Sequence, residues 1–388
     1  MRPLRLRSVQ PLKPDYGVQS VERACAILKV FREPQEVLQL NQVSERTGLN
    51  KVTVFRLLST LVSSGLVERS EKNQYRSLIR VLRSHAYRIG YAAQSTVVPF
   101  ISTVTQSITA AAQQANVELL ILNNKASRKV ALRNAARFIK EKMDLVIECQ
   151  LHAEIAGDLS AEYASAGVPV ISLDAPQPGA VYFGADNYKA GHIAGIHLGR
   201  WSAMNWHGQV DEVICPTEPA GGAILEARAL GALDGLHEAL PHSVDVPVCR
   251  YEIRPDFEHC LMMIRKHLRR SKAQHILVAA VNDPTALGAL QAFRDFGREA
   301  HCAIVGQGAV IEARHEMRRP GTHLVGSVAY FPETYGEKVL GLAVDILEGR
   351  KVPRVNLVHH QIVHSENVNK IYANDLLMDM KPLETRIV

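Results

Sequence analysis

The stretch that most constrains this 388-residue chain is residues 40 to 69, LNQVSERTGLNKVTVFRLLSTLVSSGLVER. Leu40 to Thr47 reads as a short helix with Val43 turned inward. Gly48 supplies the sharp turn, because a residue that must take positive φ is most cheaply a glycine. Asn50 stands where an N-cap belongs, and a second helix runs to about Ser64. On it Val54, Leu57, Leu58 and Leu61 recur at i, i+3, i+4 and i+7, one apolar stripe. Ser44 is small where the first helix must cross the second. Gly65 ends the second helix, and LVERSEKNQYRSL predicts a two-stranded wing turning at Glu71 to Asn73. Within residues 17 to 39, Val21, Ala24, Ile27, Leu28 and Phe31 supply a further helix that completes a trihelical core. A helix-turn-helix with a wing is shaped to enter a DNA groove.

Charge agrees with that shape. Residues 1 to 90 hold 16 Lys and Arg against 7 Asp and Glu, whereas the remaining 298 hold 29 against 32. The basic excess lies on the part shaped for the groove, as counterion release from phosphates requires. Asn50, Lys51, Thr53 and Arg56 are expected to face the major groove. Arg69, Lys72 and Arg76 are expected to hold the wing or its flanks against phosphate. One such reader is weak alone, so a homodimer or higher even oligomer on a double-stranded operator is expected.

QSVERACAILKVF, the helix-turn-helix segment and Tyr75 in the wing together resemble the IclR-type winged-helix domain over about sixty residues. That family's recognition helix usually opens with Ser-Thr and carries His-Arg one turn later. Here the corresponding residues are Val52 and Thr53, then Phe55 and Arg56, so the family's target sequence does not transfer.

Apolar content of 47% and charged content of 22% describe an ordinary globular protein with ample core. The basic, Pro-broken residues 1–16 read as a disordered tail with no signal-peptide run behind it, and no stretch approaches a membrane span. The expected location is therefore cytoplasmic. Six scattered cysteines without a C-x-x-C pair suit reduced thiols, not a disulfide framework or a zinc site. Domains are expected at 17–77 (winged helix-turn-helix) and 87–370 (effector binding), with a linker at 78–86 and a C-terminal tail at 371–388. In the joining segment, Arg80, Arg83 and Arg88 either touch phosphates or belong to a solvated connector.

From Tyr87 onward short apolar runs alternate with amphipathic helices. Strands are predicted at RIGYAA, VELLIL, DLVIEC, VPVISL, EVICP, VPVCRYEI, HILVAAV, CAIVGQ and LVGSVAY. Helices are predicted near 99–115, 127–142, 154–166, 188–203, 223–239, 256–270, 284–296 and 332–348. This rhythm implies an α/β fold with parallel strands in two lobes, divided near residues 185 to 210. Ligands of such sheets sit at the carboxyl ends of strands. The candidates there are Ser95, Gln150, Asp174, Asn282, Gln307 and Tyr330, with Phe100 and Arg228 on helices. Carboxylates and amides match sugar hydroxyls, Arg adds a fixed fork of donors, and aromatic rings cover an apolar sugar face. Which of Glu148, Cys149 and Gln150 faces the cleft stays open. Asp174 either binds ligand or caps a turn, Arg228 either binds or is solvated, and Asn282 or Asp283 either binds or caps the next helix. Asp186 and Asn187 read as caps.

VPVISLDAPQPGAVYFGADNYKAGHIAG, EARALGALDGL, VNDPTALGALQAF and GSVAYFPETYGEKVLGLAVDILEGRKVP are similar to the ribose-binding-protein and LacI effector domain, a periplasmic-binding-protein type 1 fold, over residues 87 to 365. The resemblance implies that Asp174, Arg228 and Asn282 match its ligand aspartate, arginine and asparagine. Ala175 replaces a frequent arginine, Gly306-Gln307-Gly308 stands where Gly-Phe-Asp or Gly-Tyr-Asp is usual, so one carboxylate is missing, and Tyr330 replaces a polar side chain. A polyol-like effector is implied, not any particular pentose.

Gly306-Gln307-Gly308 is not a dinucleotide fingerprint, since Ile311 stands where the third glycine belongs. The sequence holds no phosphate loop, no H-E-x-x-H and no nucleophile elbow. His360 and His364 would share a strand face, but without a third ligand at usual spacing no metal is expected. No cofactor and no catalytic residue is expected. The expected function is a DNA-binding transcription regulator controlled by a small carbohydrate-like effector. The alternatives are a sugar receptor of a transport system and a sugar-modifying enzyme.

Overall fold

The computed structural model describes residues 18–31, 36–70, 73–78, 87–95, 98–115, 117–150, 153–217, 222–252, 254 and 256–375. The tail at 1–16, Lys72 with Glu71, residues 79–86 of the linker (Arg80 and Arg83 included) and residues 376–388 lie outside them. The chain forms two compact units, divided between Ala86 and Tyr87.

The first unit contains α1 (Gln19–Lys29), β1 (Val37–Gln39), α2 (Leu40–Thr47), α3 (Lys51–Ser63), β2 (Val67–Arg69) and β3 (Gln74–Ser77). Its core is Ile27, Leu38, Val43, Val54, Leu58, Leu61, Val67 and Tyr75. Gly48 takes φ +70°, with nothing near the place a Cβ would occupy, so the demand there is conformational. Ser44 Oγ donates to Leu49 O at 2.6 Å and Thr47 Oγ1 to Val43 O at 2.7 Å, which pins the turn. The wing has three strands, not the expected two. The order is β1-β3-β2, all antiparallel, with Leu38 opposite Tyr75. Val37–Gln39 therefore leaves the helical segment that residues 17 to 39 were expected to supply. Burying Leu38 between two exposed neighbours makes it a strand, but three residues are too few to show a period of two.

The second unit is a pair of α/β lobes. The first lobe runs β4 (Arg88–Ala93), α4 (Pro99–Gln114), β5 (Glu118–Asn123), α5 (Arg128–Lys140), β6 (Leu145–Glu148), α6 (Ala153–Ser165), β7 (Val170–Leu173) and β8 (Val181–Gly184). The second runs α7 (Asn187–Asn205), β9 (Glu212–Thr217), α8 (Gly222–Ala239), β10 (Val248–Glu252), α9 (Phe257–Leu268), β11 (Ile276–Ala279), α10 (Asp283–Asp295), β12 (Cys302–Gly308), α11 (Ile311–Met317) and β13 (Leu324–Ala329). The chain then returns to the first lobe with α12 (Tyr335–Leu347) and β14 (Val355–Leu357). It ends in the second with β15 (Gln361–Val363) and α13 (Val368–Ile371). The sheets are ordered β14-β8-β7-β6-β4-β5 and β10-β9-β11-β12-β13-β15, parallel except for β13 with β15.

The short strands β8, β14 and β15 were not among the expected ones, nor was α11. Arg88 is a sheet residue, not a connector. Its guanidinium meets Glu118 and the Glu141 carbonyl, and its backbone N–H meets Asp144.

The chain crosses between lobes three times, at 184–187, 329–335 and 357–361. The returning α12 packs on α4, where Ser107 Oγ donates to Glu333 O and accepts from Gly336 N. In the second lobe α7 and α8 touch backbone to backbone. A Cβ added at Gly191 would stand 1.9 Å from Arg228 O, and one at Gly195 would stand 1.9 Å from Ala232 O. Only glycine permits that approach, and it brings Asn187 and Arg228 together.

Candidate functional site

In the first unit the side chains of interest lie on the outer face of α3. Asn50 caps the helix, its Oδ1 accepting from Thr53 N at 2.8 Å. Lys51 and Arg56 are exposed, and Thr53 is half-buried. Val52 and Phe55 are 71% and 44% exposed. Arg69 donates through Nε to Asn73 Oδ1 at 3.1 Å and stands over the rings of Phe55 and Tyr75 at 6.0 and 5.8 Å. Arg76 is ion-paired with Glu68 across the wing. Both wing arginines thus have protein partners that spacing alone does not show.

In the second unit five of the eight candidates form one group beside residues of the three crossings, Ala185, Tyr330, Tyr335 and His360. Asp174 follows β7 in a left-handed conformation, φ +59°. Its Oδ1 accepts from Ala185 N and Tyr335 OH, each at 3.3 Å. Its Oδ2 is buried and carries no hydrogen bond among the described residues. Burial pushes this carboxyl up to about 6, against the pull of the Ala185 N–H, Arg228 and Tyr335. Arg228 donates to Asn187 Oδ1 through Nε (3.1 Å) and Nη2 (2.5 Å), and to Val281 O through Nη1. Its guanidinium lies 5.3 Å from the Tyr330 ring centroid. Three of its five N–H groups are thereby engaged. Tyr330 OH donates to Gln307 Oε1 at 2.7 Å, and Gln307 Nε2 reaches Ala190 O at 3.4 Å. Phe100 meets Tyr330 and Tyr335 edge-on at 6.0 and 5.8 Å.

Phe100, Asp174, Arg228, Gln307 and Tyr330 therefore form one connected set. Ser95 and Gln150 follow the paired strands β4 and β6; Ser95 is half-buried and Gln150 buried. Asn282 is the N-cap of α10, its Oδ1 accepting from Thr285 N at 2.9 Å. Asp283 is not that cap. It is fully buried, accepts from Ser327 Oγ at 2.6 Å and Val310 N at 2.7 Å, and burial pushes it up to about 7. Gly306 makes room for it, since a Cβ there would stand 2.2 Å from Asp283 Oδ1. Glu148 points into an internal network, held by Asn124 Nδ2 at 2.8 Å and Tyr163 OH at 2.9 Å, and burial pushes it up to about 7. Asp186 caps α7.

Three residues join the set without a sequence signal for this role: Tyr335, Asn187 and His360. His360 Nε2 accepts from Asp186 N at 3.0 Å, and its ring meets Tyr330 at 4.9 Å. Burial lowers this imidazole to about 4, so it stays neutral at ordinary pH. His360 and His364 do not share a strand face. They flank β15, and His364 instead packs on His197. Among the described residues one group has metal-type side chains within reach of each other: Glu212, Cys249 and His267. These satisfy one another as hydrogen bonds, Cys249 Sγ and His267 Nε2 reaching the Glu212 carboxylate at 3.0 and 2.9 Å. A surface cavity of about 520 Å³ lies elsewhere, between α12 and β14, and its Phe183 touches Tyr335 edge-on. No described helix is long and apolar enough to cross a membrane.

Comparison with known proteins adds to this geometry. The periplasmic binding protein domain model matches residues 89–351, and the IclR helix-turn-helix domain model matches residues 20–71. The HTH-type transcriptional regulator XynR of Escherichia coli K12 is 34% identical over 74 residues, 19% of this chain and 29% of XynR. The Pca regulon regulatory protein of Pseudomonas putida is 29% identical over 106 residues, 27% of this chain and 36% of that protein. The chain thus spans about a third of the length of these curated relatives. An ABC transporter solute binding protein of Bacillus halodurans C-125, solved with bound myo-inositol, superposes with a TM-score of 0.66 at 18% identity. That match covers 76% of this chain and 99% of that one.

Proposed function

This chain belongs to the periplasmic binding protein domain family and carries an IclR helix-turn-helix domain ahead of that fold, and from this premise we propose that it is a transcription regulator whose operator affinity is set by a small carbohydrate-like effector held between its two lobes. One observation carries the effector half of the reading: Asp174 Oδ2, a buried carboxylate oxygen left without a hydrogen bond among the described residues, beside a half-buried arginine and two aromatic rings. Burying an unsatisfied charged acceptor is costly, and a ligand hydroxyl that donates to it removes that cost. Arg228 offers its remaining N–H groups to the ligand, and Phe100 and Tyr330 offer ring surface to its apolar face.

In the DNA half, Asn50, Lys51, Thr53 and Arg56 meet the major groove, and Arg69, Lys72 and Arg76 flank the backbone. Two copies of the chain read a two-fold operator. Coupling needs the effector to favour one arrangement of the lobes over another, because equal affinity for both shifts nothing.

The test pairs two substitutions. Arg56→Ala should weaken operator binding and leave effector affinity unchanged. Arg228→Ala should do the reverse, costing about 1.5 to 3 kcal/mol of effector binding for a lost charged hydrogen bond. Calorimetric titration against sugars, sugar acids and polyols reads the second. A change within about twofold would refute the pocket assignment. The likeness of the second unit to a solute binding protein favours, as a second reading, a transport receptor; recovery of the protein from a periplasmic fraction would support it.

A further inference from the structure

The uncovered face of α3 mixes two chemistries. Val54, Leu58 and Leu61 are buried, so the opposite stripe is Val52, Phe55, Arg56 and Ser59, spaced i, i+3, i+4 and i+7. Val52 and Phe55 are 71% and 44% exposed, the two largest apolar exposures on this helix. Around them stand Lys51, Arg56 and Arg69, the last with its guanidinium 6.0 Å from the Phe55 ring centroid. No acidic residue lies anywhere on α3. The hydroxyls of Ser59 and Thr60 donate back into the helix, to Phe55 O at 2.8 Å and Arg56 O at 3.1 Å. Their protons are spent, and Lys51 and Arg56 remain as the charged donors of the stripe.

The surface that covers this face must be anionic at its rim and apolar at points along its floor. In the major groove of duplex DNA one group answers the second demand, the C5 methyl of thymine, while Arg pairs best with guanine O6 and N7. We infer that Val52 and Phe55 read thymine methyls, and that each half-site presents a guanine to Arg56 with thymines beside it. This rests on the regulator reading above and adds the base class that the helix selects.

The experiment uses the full chain. Bound sequences are selected from random duplexes at fixed salt, and the selected site is resynthesised with deoxyuridine replacing thymine at one position at a time. Uracil pairs as thymine does and lacks only the methyl. Each contacted position should lose about fourfold in affinity, the factor expected for one buried methyl group. Val52→Ala should abolish the uridine sensitivity at one position and Phe55→Ala at another, while Arg56→Ala relaxes the preference for guanine. The inference falls if uridine changes affinity nowhere, or if the sensitivity survives in both alanine variants. It falls equally if those variants alter only the sedimentation of the DNA-free protein, which would make the stripe a contact between copies. Absence of salt-dependent binding to any duplex would overturn the regulator reading, and this inference with it.

Discussion

Asp174 concentrates the chemistry of the candidate site in one residue. Its backbone is left-handed, and Gly184 passes so close that a Cβ there would stand 2.6 Å from Asp174 Oδ1. Aspartate enters this region more readily than most non-glycine residues, and the close approach of Gly184 holds it there. Its carboxyl is raised to about 6, which sets a sign. Ligand hydroxyls donate to the ionised form, so effector affinity should be full above about pH 7. It should decline as pH falls through 6, by up to about tenfold per unit. Asp174→Asn should bind more weakly and lose that pH dependence, as titrations between pH 5 and 8 would read. At this scale the placement of Asp174, Gln307 and Tyr330 at strand ends was legible, because the apolar runs that precede them mark buried parallel strands. Tyr335 and His360 were not, since they lie on the returning crossings, Tyr335 at the start of α12 and His360 between β14 and β15, where no local pattern marks them. Asn282 and Asp283 show the reverse difficulty: both suit a cap, and only the buried bonds to Ser327 and Val310 separate them.

Among elements, the contact of α7 with α8 governs how the arginine is presented. Gly191, Gly195, Gly231 and Gly235 each lie where a Cβ would meet backbone of the other helix at 1.9 to 2.2 Å. Gly195→Ala must push the helices apart and should cost about 3 kcal/mol or more, lowering Tm and loosening Arg228 from Asn187. Gly341→Ala on α12, where nothing lies within 4 Å, is the matched control and should stabilise by up to about 1 kcal/mol. Calorimetry of both variants separates close packing from helix propensity. Long periodic elements such as α3 and α10 follow from their spacing alone. β1, β14 and β15, three residues each, do not, because pairing across the sheet and not local pattern makes them strands.

For the whole molecule, the charge division predicts a salt effect confined to DNA binding. Affinity of the full chain for its operator should fall steeply between about 50 and 200 mM salt, as phosphate contacts dictate, while effector affinity should move little. A second prediction concerns continuity. Ending the chain after Arg350 removes β14 from one sheet and β15 from the other. Such a chain should show no cooperative unfolding of the second unit by calorimetry and no effector binding.

The same threading bears on how the protein is made. The first lobe receives its last helix and its edge strand only after the whole of β9 to β13 has been synthesised. A ribosome therefore holds an unfinished lobe, its α4 surface uncovered, through roughly a hundred and fifty residues of elongation. During that interval the nascent chain depends on whatever shields apolar surface at the exit tunnel.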